Sequence, residues 1–100
     1  MRCEIMIVVT AQNFIDLNKL NEFKELSEEL IRKTLKENGC IEYEVFRDKD
    51  NKELFCFVEK WESIKYLEKH FESKHFKEIV PKIGKIKIKK DIVNVYEKFN

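Results

Sequence analysis

Two short runs of this chain are apolar at every position, and that fixes the kind of fold they can enter. Ile5-Met6-Ile7-Val8-Val9 and Leu54-Phe55-Cys56-Phe57-Val58 are strand-length, and an extended chain sends successive side chains to opposite faces. Each strand therefore asks for cover on both faces. Neither run approaches the roughly 20 apolar residues a membrane-spanning helix needs. In a chain of 100 residues, helices can cover one side of a sheet, and leaving the other wet would expose a larger apolar patch than soluble monomers usually carry. A partner on the second face is the expectation.

The rest of the pattern supplies the helical layer. Residues 4–12 are β-branched and apolar and turn polar at Asn13, giving a first strand that ends between residues 11 and 14. Over residues 16–38, Leu17, Leu20, Phe23, Leu26, Leu30, Ile31 and Leu35 recur at three- and four-residue spacing, which predicts a helix about 30 Å long. Asp16 or Asn18 can cap its start, and Gly39 can take the left-handed conformation that ends it. Residues 40–47 and 54–61 read as a hairpin around the polar turn 48–53. Ser63 and Ser73 are placed to cap two short helices, with Ile64, Leu67 and Phe71 facing inward from one and Phe76, Ile79 and Val80 from the other. Pro81 and Gly84 are expected to close that region. Alternating Ile and Lys over residues 85–90, then Ile92, Val93, Val95, Tyr96 and Phe99, give a last strand.

The order is βαββαβ, an α+β ferredoxin-like domain over residues 1–100, with one four-stranded antiparallel sheet and its helices on one face. The uncovered face predicts a homodimer with two-fold symmetry, joined through the open sheet.

Composition excludes several partners. Twenty Lys and Arg against 19 Asp and Glu leave a net charge of +1, so there is no broad positive field to hold nucleic acid. Phe55-Cys56-Phe57-Val58-Glu59 has the aromatic spacing of an RNA-recognition strand but not its glycines or leading basic residue. No nucleic acid and no membrane are expected as partners, and no cleavable leader is read at the N-terminus. Cys3, Cys40 and Cys56 are odd in number and lack a CxxC pair, which fits small buried residues in a reduced cytoplasm.

Five features carry chemistry. His70 and His75 are five apart, so on one helix they point in different directions, and no carboxylate or thiol lies at a spacing that completes a metal site. No metal is expected. His75 is instead placed to line a cavity beside Phe71, Phe76 and Trp61, where an imidazole can take a proton from an acidic hydroxyl. Asn13 ends its strand where a carboxamide can hold a ligand oxygen, and Trp61 ends another where it can wall an aromatic pocket. Glu59, on the strand face of Trp61, is the polar member of an apolar row and calls for a cationic partner, with Arg47 a candidate. Lys82, Lys85, Lys87, Lys89 and Lys90 read either as an anion-holding stretch or as a solvated edge that discourages strand addition.

Ala11-Gln12-Asn13, the run 38–46 from Asn-Gly-Cys to Glu-Val-Phe, Phe57-Val58-Glu59-Lys60-Trp61-Glu62-Ser63 and Ser73-Lys74-His75-Phe76 together resemble the antibiotic biosynthesis monooxygenase family over nearly the whole chain. The resemblance implies dimeric ferredoxin-like barrels with a pocket between the sheet and the short helices. It implies oxidation of quinols or polycyclic phenols with oxygen and no cofactor, the substrate acting as its own reductant. Asn13, Trp61 and His75 are then the expected catalytic residues, for orienting a substrate oxygen, walling the ring and handling the proton. Phe46, Phe71 and Phe76 are the expected substrate-binding residues. Haem-degrading relatives match at Asn13 and Trp61, but the position of their iron-ligating histidine is Val80 here. A phospho-sugar isomerase branch and a non-catalytic small-molecule-binding dimer are the alternatives.

Overall fold

The structure, a computed structural model, describes residues 4–100; Cys3 lies outside them. Its elements are β1 (Ile7–Ile15), a 3-10 turn (Leu17–Lys19), α1 (Leu20–Thr34), β2 (Cys40–Arg47), β3 (Leu54–Trp61), α2 (Ile64–Phe71), α3 (Lys74–Gly84) and β4 (Lys87–Glu97). The strands form one antiparallel sheet in the order β2-β3-β1-β4. This is the expected ferredoxin-like βαββαβ arrangement. No helix of the described residues is long and apolar enough to cross a membrane.

Strand pairing sorts the side chains into two faces. Tyr43, Glu59, Val9 and Val95 are paired in one row across the four strands, and Val45, Phe57, Ala11 and Val93 in the next. Both rows face the helices. Ile7, Val9, Ile15, Phe57 and Trp61 join Phe23 and Leu30 of α1, Leu67 of α2 and Ile79 and Ile83 of α3 in the core. On the other face, Phe46, Cys56, Gln12 and Ile92 are paired in a row, as are Lys60, Val8 and Tyr96. Phe46, Ile92 and Tyr96 are each about half exposed there.

Four local expectations are corrected. α1 is shorter than its apolar stripe: Asp16 accepts a hydrogen bond from the Asn18 amide at 2.9 Å and caps the 3-10 turn, so the α-helix starts at Leu20. Its 15 residues span about 22 Å, and Leu17 and Leu35, outside them, are left exposed. Pro81 sits inside α3 rather than ending it, because the apolar register continues through it to the buried Ile83. β1 runs two residues past Asn13, to Ile15, and pairs there with the single last strand, as expected from the two C-terminal runs, in an irregular register between Gln12 and Ile15. Ser63 occupies the N-cap of α2 without a side-chain bond, whereas the Ser73 hydroxyl does accept from the Phe76 amide at 3.3 Å.

Gly39 behaves as read. Its φ of 80° lies in the left-handed region, and a Cβ there would fall 2.2 Å from the Tyr66 ring. The turn between α1 and β2 is thus clamped under an aromatic side chain, and its carbonyl accepts from the Glu62 amide at 2.8 Å.

Candidate active site

A cavity of about 140 Å³ lies between the helix-facing rows of the sheet and α3. Val9, Leu30, Tyr43, Phe57, Val80 and Ile83 make its walls apolar, and Phe71 and Phe76 bring the ends of α2 and α3 to it. Val93 and Val95 on the edge strand β4 line it while remaining about half exposed, so the cavity opens on that side. Its polar members are Asn13, Glu59, Lys87 and Asp91.

Glu59 is the most unusual of these. It is buried at the centre of the sheet on β3, and its Oε1 accepts a hydrogen bond of 3.1 Å from Trp61 Nε1. The two residues lie two apart on one strand, hence on one face, and Trp61 is fully buried. Burial pushes the Glu59 carboxyl up to about 7; the Trp61 donor pulls it back in part and the negative charge of Glu37 adds a little. Arg47, the expected cationic partner, is engaged elsewhere: on the neighbouring strand, it donates through Nε to the Lys52 carbonyl at 2.8 Å and stacks over Phe55.

Asn13 is buried at the cavity wall, its Nδ2 donating to the Ala11 carbonyl at 3.1 Å. Phe71 and Phe76 meet edge to face with centroids 5.3 Å apart. Lys87 is held by Asp91 at 2.6 Å, and Lys89 lies over the Phe14 ring at 4.1 Å, so part of the lysine stretch is engaged within the chain. Cys40 and Cys56 are half-buried thiols, both pushed above the ordinary thiol range chiefly by burial, Cys40 to about 11. They are poor nucleophiles in that state.

Three expected site residues stand off the cavity wall, and one of them is Trp61, whose fully buried indole donates to Glu59 without lining the cavity. Phe46 is paired with Cys56 on the opposite face and does not reach the cavity, because Val45 takes the inward position and alternation turns its neighbour out. His75 is not on the cavity wall either. Its Nε2 lies 2.6 Å from Glu37 Oε2 and 3.2 Å from the Ser73 hydroxyl.

His70 joins the same carboxylate oxygen through Nδ1, also at 2.6 Å. The two histidines are not on one helix, since a break at Glu72 and Ser73 separates α2 from α3 and lets the rings face each other with centroids 6.1 Å apart. Glu37 comes from the Gly39 turn, more than 30 residues away in sequence, and sequence spacing gave no way to pair it. Ser73 as a helix N-cap was the available sign that His70 and His75 belong to different helices. His70 is almost fully buried, and desolvation lowers its pKa against the opposing pull of Glu37. Its ring packs against Trp61 at 4.8 Å and Phe76 at 5.0 Å. The histidine cluster therefore lies directly behind the cavity wall.

The family model for antibiotic biosynthesis monooxygenases matches residues 6–82. The chain belongs to the antibiotic biosynthesis monooxygenase family. The matched span runs from β1 into α3 and contains every cavity residue outside Ile83 and β4. A conserved protein from Methanosarcina mazei Go1 has a solved structure that superposes with a TM-score of 0.93 at 37% identity, over 97% of this chain and 96% of that one. A solved antibiotic biosynthesis monooxygenase superposes with a TM-score of 0.89 at 29% identity, over 94% and 99%. An uncharacterized protein of Synechocystis sp., sll1783, is 31% identical over 91 residues, 91% of this chain. The chain spans 62% of the length of that curated relative.

Proposed function

We propose that this family member is a cofactor-independent monooxygenase that oxidises a quinol or related phenol with molecular oxygen, using Glu59 as its base. The observation that carries the reading is a buried carboxylate, poised near neutrality, in the wall of an apolar cavity. A general base works best with a pKa near the operating pH. An electron-rich phenol, once deprotonated in a dry pocket, can itself reduce oxygen.

The residues take the following parts. Glu59 accepts the hydroxyl proton, and the Trp61 N–H stabilises the carboxylate beforehand. Asn13 presents its carboxamide to a substrate oxygen. Phe71, Phe76 and Phe57 contact the ring. For a hydroquinone, one atom of oxygen enters the ring and the other leaves as water; the substrate supplies all four electrons that dioxygen takes up, two in ring hydroxylation and two in going to the quinone level, and emerges as the hydroxyquinone. His75, first read as the proton acceptor, has no cavity contact, and that task passes to Glu59. The cavity is close to the roughly 150 Å³ that holds one benzene ring, which favours a single-ring head with any larger body projecting past Val93 and Val95. Dimerisation through the face bearing Phe46, Ile92 and Tyr96 belongs to the same proposal.

Oxygen uptake with a panel of hydroquinones and anthrones, corrected for spontaneous oxidation and run with catalase to reveal peroxide, tests this. Turnover should rise with pH through about 7 as Glu59 ionises, and Glu59→Gln should lose about 10²- to 10⁴-fold. Flat traces, with melting temperature still raised by the same compounds, would make the chain a binding module rather than an enzyme.

A further inference from the structure

We propose that Glu37, His70 and His75 bind a divalent transition-metal ion of the zinc class through one carboxylate oxygen, His70 Nδ1 and His75 Nε2. The three donor atoms lie within 4.8 Å of one another, and the side chains are 15%, 1% and 15% exposed. Two imidazoles and a carboxylate suit zinc and its first-row neighbours, whereas magnesium and calcium call for an all-oxygen shell.

Each donor is held from behind. The Glu37 amide donates to the Thr34 carbonyl at 2.9 Å and its carbonyl accepts from the Cys40 amide at 3.3 Å, in the turn that Tyr66 clamps at Gly39. Ser73 donates its hydroxyl to the His70 carbonyl at 2.7 Å while capping the helix that carries His75. One serine thus sets the end of α2 and the start of α3. A site assembled from three anchored elements loses little conformational freedom on binding an ion.

Hydrogen bonding alone leaves this cluster unsatisfied. Both imidazole nitrogens converge on a single oxygen, Glu37 Oε2, so each neutral ring must bring its own proton to it. For His70 that places the hydrogen on Nδ1 and leaves Nε2 a bare acceptor, buried and without a partner among the described residues. Around the imidazole stand the rings of Tyr43, Trp61, Phe71 and Phe76, and none of them gives Nε2 a hydrogen bond, so its lone pair stays desolvated and unmet. A cation at Nδ1 reverses the tautomer. Nε2 then carries the hydrogen, and a buried N–H among aromatic rings can be met weakly by a π system where a lone pair cannot.

None of the three residues lines the cavity, so the ion is a brace and not a participant in the proposed oxidation. It would tie the α1–β2 turn to the two helix ends that support Phe71 and Phe76. The inference is independent of the reading of Glu59.

The test uses the full chain, stripped with chelator and dialysed, titrated with Zn²⁺ by calorimetry and with Co²⁺ by visible absorption. Expected are one ion per chain, a melting temperature that climbs with Zn²⁺ and ignores Mg²⁺, and a Co²⁺ ligand-field spectrum typical of nitrogen and oxygen donors. Glu37→Gln and His75→Ala should each weaken binding by more than about tenfold, since even residues supporting a metal ligand cost about 10- to 100-fold. Absence of stoichiometric uptake overturns the proposal. So do affinities unchanged in the variants, or an intense thiolate charge-transfer band assigning the ion to Cys40 or Cys56. Should His75→Ala fail to fold by circular dichroism, Glu37→Gln and the parent Co²⁺ spectrum decide.

Discussion

Glu59 and Glu37 both carry a carboxylate largely out of water, yet their surroundings are built for opposite ends. Glu59 has one neutral donor, the Trp61 indole, and an apolar cavity in front of it; desolvation dominates and favours the protonated form. Glu37 is gripped by two imidazoles on a single oxygen, with no cavity to serve. The first carboxylate, under-supported, is pushed towards its protonated form. The second is kept in place by having two donors, and the contrast shows that neighbours decide the role of a buried acid.

The most damaging change should be Trp61→Ala, which empties a fully buried indole site and removes the donor to Glu59. A loss of about 3–5 kcal/mol in urea-unfolding stability is expected. Trp61→Phe keeps most of the volume but not the N–H, so the Glu59 carboxyl should rise further and the onset of turnover should move to higher pH.

Swapping each acid for its amide sharpens the contrast, because the two variants should move stability in opposite directions. The folded Glu59 carboxyl stands at about 7 against an ordinary value of 4.5. Its contribution to stability is therefore fully present below pH 4.5 and lost as pH climbs through 7, on the order of 3 kcal/mol at about 1.4 kcal/mol per pH unit. Glu59→Gln should unfold at higher urea than the parent at pH 8, and the difference should close by pH 4.5. Glu37→Gln should instead cost about 1–3 kcal/mol at neutral pH, because the buried His70 and the half-buried His75 lose their shared carboxylate acceptor. Equal destabilisation by both amides would erase the distinction.

Substitutions away from either acid should register least on the fold. Phe46→Lys, on the open face, should leave the chemical-denaturation midpoint of the monomer near the parent value while light scattering reports a shift from dimer to monomer. Lys87→Ala removes a partly exposed pair with Asp91 and should cost no more than about 1 kcal/mol.

The order of elements was legible because it rests on spacing: the α1 stripe, the polar hairpin turn at 48–53 and the serines before the short helices are all local signals. Their bounds were less so. Pro81 reads as a stop by its chemistry, but Ile83 is buried beyond it, and packing outweighs the lost backbone bond. At the site, Asn13, Phe71 and Phe76 were legible, since each lies within two residues of the end of an element that points at the helix–sheet space. Phe46 was misplaced by one residue of strand alternation, which sends Val45 inward. The importance of Glu37 was invisible, because its partners are set by how a turn and two helix ends meet in space and not by any interval along the chain.

The cavity beside Glu59 also bears on the thermodynamics of the whole molecule. Space of about 140 Å³ that side chains leave unfilled corresponds to roughly 3 kcal/mol of forgone packing at about 24 cal/mol per Å³. An aromatic guest restores a comparable amount, about 4 kcal/mol when present at 1,000 times its dissociation constant. Were the proposed phenol its guest, the hydrophobic interior would be completed by that client, and the stability of the folded chain would gauge how much of it is present.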